Sequence, residues 1–309
     1  MSLIRLGDLN RDKLATALKD GSLNLHLGPF VTSLKSRSSL VANFLMDTYR
    51  DCPVSLNRDE LVDYVLSVGP PNTLRRFIKP QVLPDPGFYF PAIPLPARMA
   101  PLALEMGMNL SAALQCFRFT MFHAGVVAKD DKAIMIAANS GGGKSTLTAV
   151  LMERGFRLLS DEFAVLGREV PELMPYPRPV SLKKASVDIV RAFAGGEAVS
   201  PALQGTPKGT VAYRRARASD IAAMARPAMP KLLVFPKFEE RAVASREPVE
   251  QADALMRLIA GSPNYQVIGE DAFRSTMRMM QGLKAFELTY GNTDDSIRLV
   301  EELWAEVTP

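Results

Sequence analysis

Leu23, Leu25 and Leu27 alternate with polar residues and stop at Gly28-Pro29, the period-two pattern of a strand. Ser38-Ser39 then precede Leu40, Val41, Phe44, Leu45 and Tyr49, which share one face at helical spacing and predict a serine-capped helix. A second strand is expected over 61–68. Seven prolines (80, 84, 86, 91, 94, 96 and 101) then crowd one stretch, a density no regular element tolerates. Segment 80–101 is therefore expected to be extended and draped on a surface. Helical spacing resumes over 102–117.

From about Phe117 onward, apolar runs of strand length alternate with helical patterns. Strands are predicted over 122–128, which contains His123, and over 133–137, 157–160 and 163–166. Two more are expected over 231–235, stopped by Pro236, and over 285–290. A last helix, capped near Thr293 or Asp294, would present Ile297, Val300, Trp304 and Val307 on one face. The fold class that follows is α/β (α+β): a P-loop nucleotide-binding core over 117–309, with a smaller mixed α+β region over 1–116. No internal repeat is visible.

The run Ala138-Asn139-Ser140-Gly141-Gly142-Gly143-Lys144-Ser145-Thr146 carries the chemistry. Consecutive glycines remove every Cβ from a turn whose N–H groups would wrap a triphosphate. Lys144 supplies a point charge for β- and γ-phosphates, and Ser145 offers a hydroxyl to Mg²⁺. A strand precedes the run. A helix follows it, with Leu147, Val150 and Leu151 at helical spacing and Gly155 where it should stop, so its positive end adds to the anion site. Ala138 stands where the usual pattern has glycine, which is tolerable if its φ is negative.

Composition narrows the rest. Nearly half of the 309 residues are apolar, and no stretch reaches the apolar length of a membrane span. Cys52 and Cys116 lack metal-type spacing and, without an apolar leader at the N-terminus, read as buried thiols of a cytoplasmic protein. The net charge is only +4, yet Arg178, Lys183, Lys184, Arg191, Lys208, Arg214, Arg215 and Arg217 face only Asp188 and Glu197 in one segment. With few aromatics for base stacking, that segment suits ATP or an acidic substrate better than nucleic acid.

Asp161-Glu162 ends an apolar run seventeen residues after Lys144. That interval is one helix plus one strand, so the acids are expected on the strand next to the loop strand. One carboxylate can hold Mg²⁺ and the other can move a proton. The GTPase patterns Asp-x-x-Gly and Asn-Lys-x-Asp are absent.

His123, the glycine-rich loop, Gly155 and Asp161-Glu162, in that order and spacing, resemble the bacterial HPr kinase/phosphorylase family. Arg-Leu-Leu-Ser-Asp-Glu (157–162), Pro-Arg-Pro-Val-Ser-Leu-Lys (177–183), Thr-Pro-Lys-Gly-Thr-Val-Ala (206–212), Lys79-Pro-Gln-Val82 and Pro94-Leu-Pro96 are most similar to its HPr kinase-related kinase A branch. The Ile-Glu-x-Arg-Gly signature of the HPr kinases proper is absent, and residues 1–116 look unlike their N-terminal domain. The resemblance implies Lys144 as phosphate ligand, Ser145 as Mg²⁺ ligand, Asp161 as general base and His123 as a nearby active-site residue. It also implies a peptide substrate at least as readily as HPr, with a PqqD-like peptide chaperone as a companion.

The expected activity is ATP- and Mg²⁺-dependent phosphoryl transfer to a Ser or Thr hydroxyl of a protein or peptide. The loop from Ser140 through Gly141, Gly142, Gly143, Lys144, Ser145 and Thr146 would hold the nucleotide. Ser145, Asp161 and Glu162 would serve the metal, with Asp161, His123, Glu162, Arg178 and Lys208 in the catalytic group. Lys183 joins Arg178 and Lys208 as a charge neutraliser, and Lys208-Gly209 reads as a mobile loop. Three alternatives stay open: a P-loop ATPase coupling hydrolysis to partner assembly, a small-molecule kinase, and a module that senses nucleotide without chemistry; a homo-oligomer is compatible with each.

Overall fold

The computed structural model describes residues 3–139 and 141–308, so the loop residue Ser140 lies outside the described residues. The chain divides into two units, residues 1–116 with 203–207 and residues 117–202 with 208–309.

In the first unit β1 (Ile4–Arg5), α1 (Arg11–Asp20), β2 (Leu23–Leu27), β3 (Phe30–Ser36), α2 (Ser39–Thr48), β4 (Pro53–Leu56) and β5 (Tyr64–Gly69) are followed by β6 (Gln81–Asp85), β7 (Leu95–Pro96) and α3 (Ala100–Gln115). The strands form one sheet in the order β1-β4-β2-β3-β5-β6-β7, with β3 and β5 parallel. Leu23, Leu25 and Leu27 are buried as their spacing predicts. Asn24 is buried too, because its amide donates to Ser55 Oγ, the Asn57 carbonyl and Glu60 Oε2 at 3.2, 2.6 and 2.9 Å. The proline-rich stretch is not wholly irregular: it contributes β6 and β7. Pro84 fits within β6 because it lies opposite Val68 of β5, whereas β7 pairs only with Gln81 and Val82.

The second unit begins with β8 (Thr120–Phe122), β9 (Gly125–Lys129), β10 (Lys132–Ile136), α4 (Lys144–Glu153) and β11 (Arg157–Ser160). Next come β12 (Ala164–Leu166), β13 (Leu173–Met174), β14 (Val180–Lys183) and α5 (Ser186–Ala194). After β15 (Leu203–Thr206), which clusters with the first unit, follow β16 (Gly209–Arg214), α6 (Ala218–Ala222), β17 (Met229–Phe238) and β18 (Ser245–Pro248). The chain closes with α7 (Gln251–Ala260), α8 (Tyr265–Ile268), α9 (Glu270–Met280), β19 (Lys284–Tyr290) and α10 (Thr293–Val307).

Its main sheet runs β11-β9-β10-β17-β19-β18. Residues 133–136 of β10 are fully buried, as expected of a strand covered on both faces. Ala133 and Met135 join Ala254 and Leu258 of α7 and Met279 and Met280 of α9 in one core. Helices α4 and α10 also pack on strands of this sheet.

Direction decides what this sheet can build. Strands β10, β17 and β19 are parallel, while β9 is antiparallel both to β10 and to β11. Two reversals restore direction, so β11 runs with β10, and both release their carboxyl ends at one edge. The acid pair therefore reaches the loop edge, but not on the adjacent strand: β9 lies between. The predicted strand over 122–128 is also split. Phe122 ends β8, Gly125 starts β9 in a different sheet, and His123 sits at the bend. Pro236 does not stop β17, which continues to Phe238. Ala137 N–H donates to Val234 O at 3.0 Å, so position 236 also faces the β10 side, where the chain has already left for the loop and no partner carbonyl asks for its missing N–H.

Candidate active site

The glycines between β10 and α4 are required for two different reasons. Gly141 and Gly143 have φ of +93° and +95°, a region L side chains rarely adopt. Gly142 has no such φ but no room: a Cβ there would lie 3.0 Å from Ala138 Cβ and 3.1 Å from Pro236 O. Ala138 is not among the described non-glycine residues with positive φ, so alanine is tolerated there. Gly143 caps α4, and Leu147 N–H closes the first helical bond onto Gly143 O at 2.9 Å. The amides of the first turn, from Lys144, Ser145 and Thr146, remain directed out of the helix end.

Asp161 follows directly on β11 and is 1% exposed. Ser145 Oγ donates to its Oδ2 at 3.0 Å, and Ser181 N–H of β14 donates to the same oxygen at 3.1 Å. Oδ1 is buried and accepts no hydrogen bond, with Lys144 Nζ 3.6 Å away. That ammonium also donates to the Asp161 carbonyl oxygen. Burial pushes the Asp161 carboxyl above the usual carboxylate range, against the pull of Lys144, and neighbouring Glu162 adds to the rise.

Glu162 behaves oppositely. Burial alone would raise it, but Lys144, His123, Arg178 and Lys183 together hold it below its ordinary value. His123 Nδ1 lies 3.7 Å from Glu162 Oε2, and its ring meets Phe163 edge-on, with centroids 6.2 Å apart. His123 N–H donates to Gly261 O at 3.1 Å. Desolvation, then Lys144, lowers the His123 pKa and favours neutral imidazole. Arg178 is buried, with its guanidinium 5.5 Å from the Tyr176 ring centroid. Burial and then Lys208 depress the Lys183 ammonium. Lys208 occupies a turn immediately before β16.

The structure thus brings Gly141, Gly142, Gly143, Lys144, Ser145, Asp161, Glu162, His123, Arg178 and Lys183 together at one sheet edge, with Lys208 placed only as a neighbour of Lys183. His123 is brought to Glu162 rather than to the Ser145–Asp161 bond. Three cationic side chains, Lys144, Arg178 and Lys183, act on two carboxylates, with Lys208 acting in turn on Lys183, an excess that suits a polyanion. A buried carboxylate whose Oδ2 already takes a serine hydroxyl fits a hard divalent cation. Among the described residues no cluster of three or more His, Cys, Asp or Glu could hold a metal alone. Its remaining ligands would come from phosphate and water, as Mg²⁺ prefers.

Gly125, the first residue of β9, escapes a motif search. A Cβ there would lie 2.4 Å from Thr148 Oγ1, whose hydroxyl donates to Lys144 O at 2.9 Å, and 3.6 Å from Lys144 Cγ. Gly125→Ala should therefore displace α4 from the sheet and cost about 1–3 kcal/mol. Urea denaturation should show that adding Thr148→Ala recovers much of the loss. Equal stability of Gly125→Ala and the parent would contradict this packing.

No known family profile matches the sequence, and no curated protein matches it. Among solved structures, the HPr(Ser) kinase/phosphatase from Coxiella burnetii is similar over 60% of this chain and 92% of its own, at 12% identity and a TM-score of 0.25.

Proposed function

We propose that this protein transfers the γ-phosphoryl group of Mg-ATP to a Ser or Thr hydroxyl of a peptide or protein. The observation that carries the reading is Asp161 Oδ1, a buried oxygen with no hydrogen bond, 3.6 Å from the Lys144 ammonium and on a carboxylate whose other oxygen takes the Ser145 hydroxyl. Bound Mg-ATP supplies the electrophilic phosphorus and the metal charge. Lys144, Gly141–Gly143 and the first-turn amides of α4 bind and orient phosphate oxygens. Ser145 and the Asp161 carboxylate would hold the metal, and Asp161 Oδ1 accepts the proton of the acceptor hydroxyl. Its raised pKa makes it a better proton acceptor than an ordinary aspartate. Arg178, Lys183 and Lys208 neutralise charge that grows during transfer. Glu162, beside His123, balances part of the charge of Arg178 and Lys183.

One observation favours a second reading. Glu162 is held ionised beside neutral His123, an arrangement that also aligns water for hydrolysis. Glu162→Gln separates the two. As a kinase, the variant should retain substantial transfer to an acceptor and should not accumulate ATP. As a hydrolase, it should trap bound ATP, which nucleotide retention after gel filtration would reveal. Trapping, together with rapid acceptor-independent hydrolysis in the parent, contradicts the kinase reading.

A further inference from the structure

One side chain reaches the glycine-rich loop from a strand remote in sequence. Tyr290 ends β19, and its register with Phe238 of β17 places it at the same carboxyl edge as the loop. Its ring is buried and tilted against Phe238, with centroids 6.2 Å apart. Glu239 N–H donates to Tyr290 O at 3.1 Å and fixes the strand end. A Cβ built on Gly143 would fall 2.6 Å from the Tyr290 hydroxyl oxygen, with the ring carbon bearing it at 3.8 Å. The hydroxyl therefore fills the space a side chain at 143 would take, against the cap of α4.

A residue serving only as filler would need no oxygen at that point, and burying a hydroxyl has a cost that phenylalanine avoids. Burial keeps the phenol protonated, so it stays a neutral donor. We propose that Tyr290 is part of the phosphate cradle: its hydroxyl donates to a phosphate oxygen beside the α4 amides, and its ring backs Gly143 in the left-handed conformation. The proposal rests on the phosphoryl-transfer reading and extends the cradle from one loop to β19.

Calorimetric titration of inorganic tripolyphosphate with Mg²⁺, and of ADP, provides the ligand test. Tyr290→Phe should weaken both about ten-fold or more, the effect of losing a hydrogen bond to a charged group, while leaving the melting temperature of the free protein nearly unchanged. A second test needs no ligand. Gly143→Ala should destabilise the free protein less in a Tyr290→Phe background than alone, because the 2.6 Å contact is gone and the φ strain alone remains. Unchanged tripolyphosphate and ADP affinities in Tyr290→Phe, with a parent that binds both, overturn the cradle role by itself. Strict additivity of the two substitutions overturns the contact. A parent that binds neither compound overturns the phosphoryl-transfer reading and the cradle with it.

Discussion

Asp161→Asn should slow phosphoryl transfer by about a hundred- to ten-thousand-fold, the usual contribution of a general base, while Mg-ATP still binds. The substitution preserves shape and leaves an amide oxygen for the Ser145 and Ser181 donors, but removes the proton acceptor at Oδ1. If Asp161 chiefly held the metal, high Mg²⁺ would restore much of the rate, and nucleotide affinity would fall with the loss. Stability supplies an independent readout. Asp161 has a folded pKa above its unfolded value, so its contribution to stability is fully present below the unfolded pKa and is lost as pH rises through the folded one. The nucleotide-free variant should therefore gain stability relative to the parent between acid and neutral pH, measured by thermal denaturation. A pH-independent difference would show that burial does not raise the carboxyl.

Lys144→Ala should abolish most nucleotide binding and turnover together, because the ammonium contacts phosphate in ground and transition states alike. A loss of several kcal/mol in kcat/KM, about a thousand-fold or more, is expected. A loop lysine facing solvent would leave the fold untouched, but this one does not face solvent. Its side chain is 10% exposed, pairs with a carboxylate 1% exposed, and donates to the Asp161 carbonyl. Removing one partner of a buried pair strands the other, so the free protein should lose up to about 3 kcal/mol at neutral pH. The loss should shrink in mildly acid buffer, where Asp161 takes a proton. Chemical denaturation at two pH values checks this. Normal ATP turnover by the variant would show that Lys144 is not the phosphate lysine.

The parts of the site that sequence reveals are local. Three glycines, a lysine and a serine between an apolar run and a helical pattern announce their turn, and an acid pair at the end of a short run announces a sheet edge. What sequence hides depends on partners chosen at long range. Strand β9 slips between β10 and β11 because an antiparallel hairpin, Gly125–Lys129 with Lys132–Ile136, forms ahead of the loop. That insertion leaves the acids at the right edge but one strand farther away. His123 looked like a strand residue because its flanks are apolar; the break between two sheets is invisible in period-two spacing. Pro236 looked like a terminator, and only the early end of β10 frees it to continue. Burial of Lys144 follows from the carboxylate that β11 delivers beneath it, which no property of the loop predicts.

The most direct measurement is a single-turnover reaction of the protein with γ-labelled Mg-ATP, with and without candidate acceptor peptides carrying Ser or Thr, resolved by mass spectrometry and by free-phosphate release. The account predicts slow phosphate release alone, label appearing on an acceptor hydroxyl when the right peptide is present, and loss of that transfer in Asp161→Asn. Rapid, stoichiometric release of all label as free phosphate, unaffected by any acceptor and undiminished in Asp161→Asn, would contradict it.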